Sequence, residues 1–180
     1  MISALTIFFL YFFVKEKKIY IFLYFYHLTF IVIFYNFIIL KGGDFLFYIN
    51  KSEAVFGLGV ESLLGFIFVL KKFMPVYEIN LLFNLFSFIA IILFYEILKK
   101  LGLSNLLALS LCLLPSMHFF TSSIGKDGLI ILALMLIVYY TINNNSIFDK
   151  KNLLFILLGL LIILLIRPHI FLIISALYCV

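Results

Sequence analysis

The 22 residues from Ile19 to Leu40 contain no Asp, Glu, Lys or Arg. This run constrains the fold more than any other feature of the chain. At about 1.5 Å of rise per residue, a helix of this length crosses the roughly 30 Å hydrocarbon core of a bilayer. The run therefore predicts a transmembrane helix.

The composition supports a membrane protein throughout. Hydrophobic residues make up 67% of the chain and charged residues 12%, which is too little polar material to cover a soluble globule. The net charge of +5 comes largely from short Lys clusters beside apolar runs, where Lys sets membrane topology. It therefore predicts no nucleic-acid partner. Cys112 and Cys179 lie in apolar runs without a metal or redox spacing, which indicates packing roles.

Further apolar runs predict further helices. They comprise 1–14, read as a short uncleaved helix, then 78–98, 105–120, 128–142, 153–166, and 170–180, whose eleven residues are too short to cross. The run Asn143-Asn144-Asn145-Ser146 predicts a polar loop. We therefore predict an all-α, multispanning transmembrane helix bundle of about six helices, the last one incomplete. Residues 1–180 form a single membrane domain, and we expect it to be the N-terminal part of a longer protein.

The segment Ala54–Leu70 leaves two topologies open, because it could cross the membrane or lie flat. The positive-inside rule does not decide, since either topology puts seven of the 13 basic residues inside. A crossing would bring Glu61 near the bilayer centre, which costs about 2.5–3.5 kcal/mol. We therefore favour an interfacial helix in the first long outer loop, and this choice places the later polar segments outside.

On this topology, one side of the membrane collects more polar groups than solubility requires. They are Asp44, Glu53, Glu61, Glu78, His118, Ser122, Ser123, Lys126, Asp127, Arg167 and His169. His118 and His169 lack the spacing of a metal site, so no metal ligand is predicted. Asn80 and Asn84 lie four residues apart beside Glu78, where they could support the site or form interhelical hydrogen bonds.

Three of the outer groups carry chemistry that suits a charged ligand. Asp44 follows Gly42-Gly43, so its carboxylate could act as a general base, hold a divalent cation, or be an ordinary solvated loop Asp. Lys126 opens a predicted helix, where it suits a phosphate, while Asp127 could simply complement the helix dipole. Arg167 interrupts a long apolar region beside Pro168, and its guanidinium suits a phosphate or an interfacial turn.

The order of these features resembles the opening of the GT-C superfamily of multispanning glycosyltransferases. A long span is followed by an outer loop with Gly42-Gly43-Asp44 and Tyr48, and then by a span containing Asn84. Other short motifs are similar to bacterial surface-polysaccharide membrane proteins, either such glycosyltransferases or polymerases of the O-antigen type. These motifs are Pro115-Ser116, Ser122-Ser123, Gly125-Lys126-Asp127 and Arg167-Pro168-His169. The resemblance covers Leu40 to His169.

The resemblance implies sugar transfer from a polyprenyl-phosphate carrier in the periplasmic leaflet of the inner membrane. It makes Asp44 the catalytic carboxylate and makes Lys126 and Arg167 the ligands of the carrier phosphate. Supporting roles fall to Glu78, Asn84, Ser122, Ser123, Asp127 and His169. The implied partners are membrane lipid and the lipid-linked sugar donor, with a divalent cation as a conceivable cofactor. The chain lacks a second acidic residue beside Asp44 and is shorter than complete enzymes of the class.

Two alternatives from other classes fit the same composition. A transporter or flippase of lipid-linked sugars would place its charged residues along a path through the membrane. A non-catalytic multi-pass subunit would need no convergent site at all.

Overall fold

A computed structural model describes residues 17–51, 57–142 and 150–179. The predicted helix over 1–14 and the predicted loop Asn143-Asn144-Asn145-Ser146 lie outside these residues. The described ranges contain helices and no strands. In chain order the helices are α1 (Lys17–Lys41), α2 (Asp44–Asn50), α3 (Val60–Lys71), α4 (Val76–Lys100), α5 (Asn105–Cys112), α6 (Pro115–Thr121), α7 (Lys126–Ile142), α8 (Lys150–Ile166) and α9 (Pro168–Cys179).

Two of the described helices, α1 and α4, are long and apolar enough to cross a membrane. Helices α6 and α7 also pass this test together, but they are bent by 117° relative to each other. The apolar part of α8, Asn152–Ile166, is shorter than a span. The all-α prediction is confirmed for the described residues, whereas the count of about six crossing helices is not.

The two long helices match the sequence predictions within a few residues, since α1 contains 19–40 and α4 contains 78–98. The structure divides the predicted run 105–120 into α5 and α6 at Leu113 and Leu114, just before Pro115. Pro115 causes the division, since it has no backbone N–H to donate and starts α6 at its first position. The predicted break near Pro168 is confirmed, with Arg167 between α8 and α9.

Ring contacts fix the directions of the long helices. Tyr20 contacts Tyr95 and His27 stacks on Phe88, so α1 and α4 are antiparallel. Helices α4 and α7 are parallel, because residue 80 contacts residue 124 at one end and Lys100 lies over Tyr139 at the other. Helix α8 runs back against α7, with Tyr140 stacked on Phe155. We call the end of the bundle that carries residues 42–48, 122–127 and 167 the rim.

Helix α3 is only 12 residues long, about 18 Å, which is too short to cross a bilayer. Tyr48 of α2, Ile67 of α3 and Ile79 of α4 share one apolar cluster at the rim. The chain therefore leaves α1 and enters α4 at the same end of the bundle, as the non-crossing interpretation of Ala54–Leu70 requires. That α3 lies in the membrane interface stays a prediction, and residues 52–56 lie outside the described ranges.

Small residues allow the closest helix approaches. A Cβ added to Gly128 of α7 would lie 3.3 Å from the Ser87 side chain of α4. A Cβ added to Gly159 of α8 would lie 2.8 Å from the carbonyl oxygen of Ala133 and from a side-chain carbon of Ile137. Small residues at such crossings let backbones pack closely in membrane bundles. Helix α7 is thus held between α4 and α8.

We expect Gly159→Ala to destabilise the bundle, because the new methyl group would meet a backbone carbonyl that cannot move aside without shifting α7. Overpacking of this kind costs about 1–3 kcal/mol, which outweighs the helix propensity gained. Thermal unfolding of the purified chain in detergent measures the effect. Gly125→Ala is the matched control, since its Cβ would meet no atom within 4 Å. Equal melting temperatures for the two variants would contradict the close crossing.

Candidate functional site

A cavity of about 250 Å³ lies at the rim, between the end of α1, helix α2 and the turn that joins α6 to α7. One side of its lining is aromatic and includes Phe34, Phe37, Phe45, Phe119 and Phe120. Its polar lining residues are Asp44, Tyr48, Ser123, Lys126 and Asp127. The structure therefore brings the predicted carboxylate and one predicted cation to the same cavity.

A glycine turn places Asp44 over the end of α1. Gly42 has a φ of 73° and donates its N–H to Ile38 O at 2.8 Å, and Gly43 has a φ of 155°. The chain reverses within these two residues, and Asp44 then begins α2. The Asp44 side chain is exposed and forms no hydrogen bond or ion pair with a described residue. Its carboxylate oxygens are thus open to a ligand.

Lys126 is the cation of the rim cavity. It begins α7, is partly exposed, and has no hydrogen bond or ion pair to the part of the chain that the structure describes. The neighbouring Asp127 is occupied, because it accepts a hydrogen bond from the Arg167 guanidinium at 3.2 Å. The Arg167 and Asp127 side chains are 33% and 49% exposed. An ion pair exposed to this degree is screened by solvent and contributes little stability.

Arg167 does not line the rim cavity, although both phosphate ligands were predicted for one site. It lines a second cavity of about 530 Å³, which also contains Asp127. The rest of that lining is mostly apolar and includes Phe94, Met117, Phe120, Ile130, Ile131 and Met135. Asp127 and Phe120 line both cavities. The two predicted cations therefore lie on either side of a shared carboxylate and ring.

Tyr48 was noted in the sequence as part of a motif, without a role. It lies four residues after Asp44 on α2, so the two side chains share a helix face. The residue is 2% exposed and packs in the rim cluster with Ile67 and Ile79. Burial raises the pKa of Tyr48 above its usual value, the charges of Asp44 and Asp127 raise it further, and Arg167 opposes them. Its hydroxyl therefore stays protonated at neutral pH.

Side chains of α4 hold the turn between α6 and α7. The Asn80 carboxamide oxygen accepts a hydrogen bond from Ile124 N at 3.1 Å. The Ser87 hydroxyl contacts Thr121 O at 2.6 Å and also lies within hydrogen-bond distance of Phe83 O. The interhelical role considered for Asn80 is thus confirmed. The first contact satisfies a backbone N–H in the turn, and the second satisfies a carbonyl at the C-terminal end of α6, just before Lys126.

The remaining predicted supporting residues are dispersed. Ser123 lines the rim cavity, but Glu78 is half-buried, His169 is exposed, and neither lines either cavity described above. Ser122 belongs to the rim but does not line the rim cavity, because its buried hydroxyl donates to Phe119 O at 3.0 Å and lies 3.2 Å from Phe30 O. Asn84 is 1% exposed and faces the bundle interior.

His118 is buried inside the bundle and does not line the rim cavity. Its ring is fully buried, with Nε2 2.6 Å from Cys112 O and Nδ1 3.0 Å from His27 Nδ1. A carbonyl can only accept, so His118 Nε2 donates to Cys112 O, and the two Nδ1 atoms lie within hydrogen-bond distance of each other. Pro115 explains the burial, since the helix break frees carbonyls near Cys112 and the imidazole turns inward to satisfy one.

His27 and Asn84 keep unpaired polar atoms inside the bundle. Neither His27 Nε2 nor Asn84 Nδ2 has a hydrogen-bond partner among the described residues. No group of three or more His, Cys, Asp or Glu side chains within residues 17–51, 57–142 and 150–179 could hold a metal ion. No sequence pattern predicts that His27 and Asn84 are buried together, because His27 is isolated in an apolar run.

No protein-family model, curated protein or solved structure matches this chain. The charged side chains that could act on a ligand lie at the rim. There, one carboxylate and one ammonium without described protein partners face a cavity beside a buried phenol, and an Arg–Asp pair stands at its edge.

We expect Asn80→Leu to destabilise the turn before Lys126, since Ile124 N would lose its acceptor in an apolar setting. An unsatisfied buried backbone group costs about 1–3 kcal/mol. Thermal unfolding in detergent measures the loss. Asn36→Leu is the matched control, because Asn36 is exposed on α1 and lacks a described partner. The assignment of Asn80 to the turn fails if both variants melt alike.

Proposed function

We propose that this chain is, or is the N-terminal part of, an inner-membrane glycosyltransferase or polysaccharide polymerase. It would transfer a sugar from a polyprenyl-phosphate-type carrier on the periplasmic side. The observation that carries the proposal is that Asp44 and Lys126, far apart in sequence, line one cavity at the rim. A carboxylate and a cation facing the same space are the two charges that this transfer uses.

The proposed reaction assigns a separate role to each charge. The Asp44 carboxylate takes the proton of an acceptor hydroxyl while the hydroxyl oxygen bonds to the anomeric carbon of the donor sugar. The bond between that carbon and the carrier phosphate oxygen breaks, and the bonding electrons leave with the phosphate. The Lys126 ammonium stabilises the negative charge of the departing lipid phosphate. The proton remains on Asp44 until it passes to solvent at the exposed rim.

The second cavity suits the rest of such a donor. Its lining is mostly apolar, and Arg167 and Asp127 are the charged residues in it. A polyprenyl chain would lie against Met117, Ile130 and Met135 with its phosphate toward the charged end. The Arg167 guanidinium has five N–H donors, so it can contact the phosphate while it remains near Asp127.

The proposed topology completes this arrangement. About six helices cross the inner membrane, α3 lies in the outer interface, and the rim faces the periplasm. Support for the placement of α3 comes from α1 ending and α4 beginning at the rim.

The alternative of a flippase for lipid-linked sugars has less support. A transport path would carry charged groups through the bundle, as intramembrane charges mark such paths. The buried polar side chains among the described residues are His27, Asn84, Ser87, His118, Thr121, Ser122, Ser123 and Asn152. None of them is an acid, a Lys or an Arg. A non-catalytic subunit would not need two unpaired opposite charges at one cavity.

Loop sidedness tests the topology. In a background with Cys112→Ala and Cys179→Ala, we expect Asp44→Cys and Lys126→Cys to react with a membrane-impermeant thiol reagent added to spheroplasts. Lys99→Cys should react only after the membrane is permeabilised, because it lies at the opposite end of α4. Labelling of Asp44→Cys and Lys126→Cys from opposite sides would overturn the proposal.

Activity tests the charges themselves. We expect Asp44→Asn to lower glycan assembly at least a hundredfold, the scale of a lost general base. Lys126→Ala should lower it as well, by weakening the hold on the carrier phosphate. Complementation of a strain that lacks the chain, read out as surface glycan, measures both. Lys72→Ala is the matched control, because Lys72 lies over the Phe68 ring and lines neither cavity. Full assembly with Asp44→Asn would remove Asp44 from the site.

A further inference from the structure

The Tyr48 side chain combines a fixed ring with an uncommitted hydroxyl. The ring packs in the rim cluster with Leu63, Ile67 and Ile79, and the residue is 2% exposed. The hydroxyl has no hydrogen bond to any described residue, and it is not completely buried. Tyr48 lines the rim cavity together with Asp44, Lys126 and Asp127.

The surroundings of Tyr48 restrict what its hydroxyl can do. Helix α2 places it one turn after Asp44, and the charges of Asp127 and Arg167 are near enough to act on it. A phenol in this position stays neutral, so it offers an O–H donor and adds no charge. Tyr hydroxyls usually find a partner when the ring is buried.

We propose that the Tyr48 hydroxyl donates a hydrogen bond to the phosphate of a lipid-linked ligand held in the rim cavity. This inference rests on the proposed function and names a further binding residue for the same ligand. Among the described residues, Lys126 is the only cation in the lining of this cavity, and the Asp44 carboxylate in the same lining repels an anion. A second cation near Asp44 would form an ion pair with this carboxylate. A neutral O–H donor forms no such ion pair, so it remains free to contact a phosphate oxygen in the cavity.

The surroundings of Tyr48 favour a binding role for its hydroxyl over a purely structural role. Ring packing alone would be served by Phe, which is abundant in this chain with 24 residues. The hydroxyl adds nothing to the apolar cluster and has no described protein partner to stabilise. We therefore expect the hydroxyl to contribute to the binding of a ligand.

Binding of farnesyl phosphate, a short polyprenyl phosphate, to the purified full chain in detergent tests the inference. We expect Tyr48→Phe to raise the Kd about tenfold, the scale of one hydrogen bond to a charged group. The melting temperature without ligand should stay unchanged, because the ring is retained. Tyr35→Phe is the matched control, since Tyr35 is 58% exposed on α1 and should leave the Kd unaltered.

Farnesol and inorganic phosphate separate the two halves of the ligand. Farnesol lacks the phosphate, so its binding should be equal in the wild type and Tyr48→Phe. A loss of farnesol binding in Tyr48→Phe would overturn the inference by showing a structural role. Inorganic phosphate that binds as tightly as farnesyl phosphate would overturn the lipid carrier as the ligand.

The remaining outcomes distinguish this inference from the proposed function. One outcome is that Tyr48→Phe binds farnesyl phosphate as tightly as the wild type, whereas Lys126→Ala binds it more weakly. In that case Tyr48 is not a ligand-binding residue, and the proposed function stands. If the wild type binds neither probe, both proposals fail.

Discussion

Backbone groups at helix breaks must find partners inside an apolar bundle, and this requirement governs the arrangement described above. Hydrocarbon offers no water to an open carbonyl or N–H, so side chains of neighbouring helices take its place. His118 and Tyr26 satisfy Cys112 O and Leu113 O at the break between α5 and α6. Ser87 and Asn80 do the same for Thr121 O and Ile124 N at the next turn.

These polar contacts determine where the charged rim forms. Helix α4 holds the end of α6 through Ser87, and the close approach of Gly128 to the same serine fixes the start of α7. Lys126 lies between these two contacts, so both flanks of its backbone are held against α4. Asp44 comes to the same cavity from the end of α1, through the Gly42 turn. Buried hydrogen bonds among uncharged groups thus position two opposite charges.

The sequence predicted the elements whose physics is local. The uncharged run of α1, the Lys-terminated run of α4 and the break before Pro168 follow from run length, hydropathy and proline chemistry. That the His118 and Ser122 side chains are buried could not be predicted, because closeness to Lys126 along the chain does not reveal which way a side chain faces. Their partners, His27 and Phe30, lie more than 90 residues earlier in the chain. Only the packing of α1 against α6 brings them together.

The Arg167–Asp127 pair shows a similar limit and has a consequence for the proposed ligand. Arg167 was predicted as a phosphate ligand from its cost in lipid, but a partner 40 residues away could not be read from the sequence. Because the pair is about one-third to one-half exposed, its mutual attraction is screened and the guanidinium is not locked to the carboxylate. The phosphate of the proposed carrier would compete with Asp127 for the N–H donors of the guanidinium. Asp127 lines both cavities. A phosphate bound in one cavity that released the Asp127 carboxylate from Arg167 would therefore change the charge that faces the other cavity.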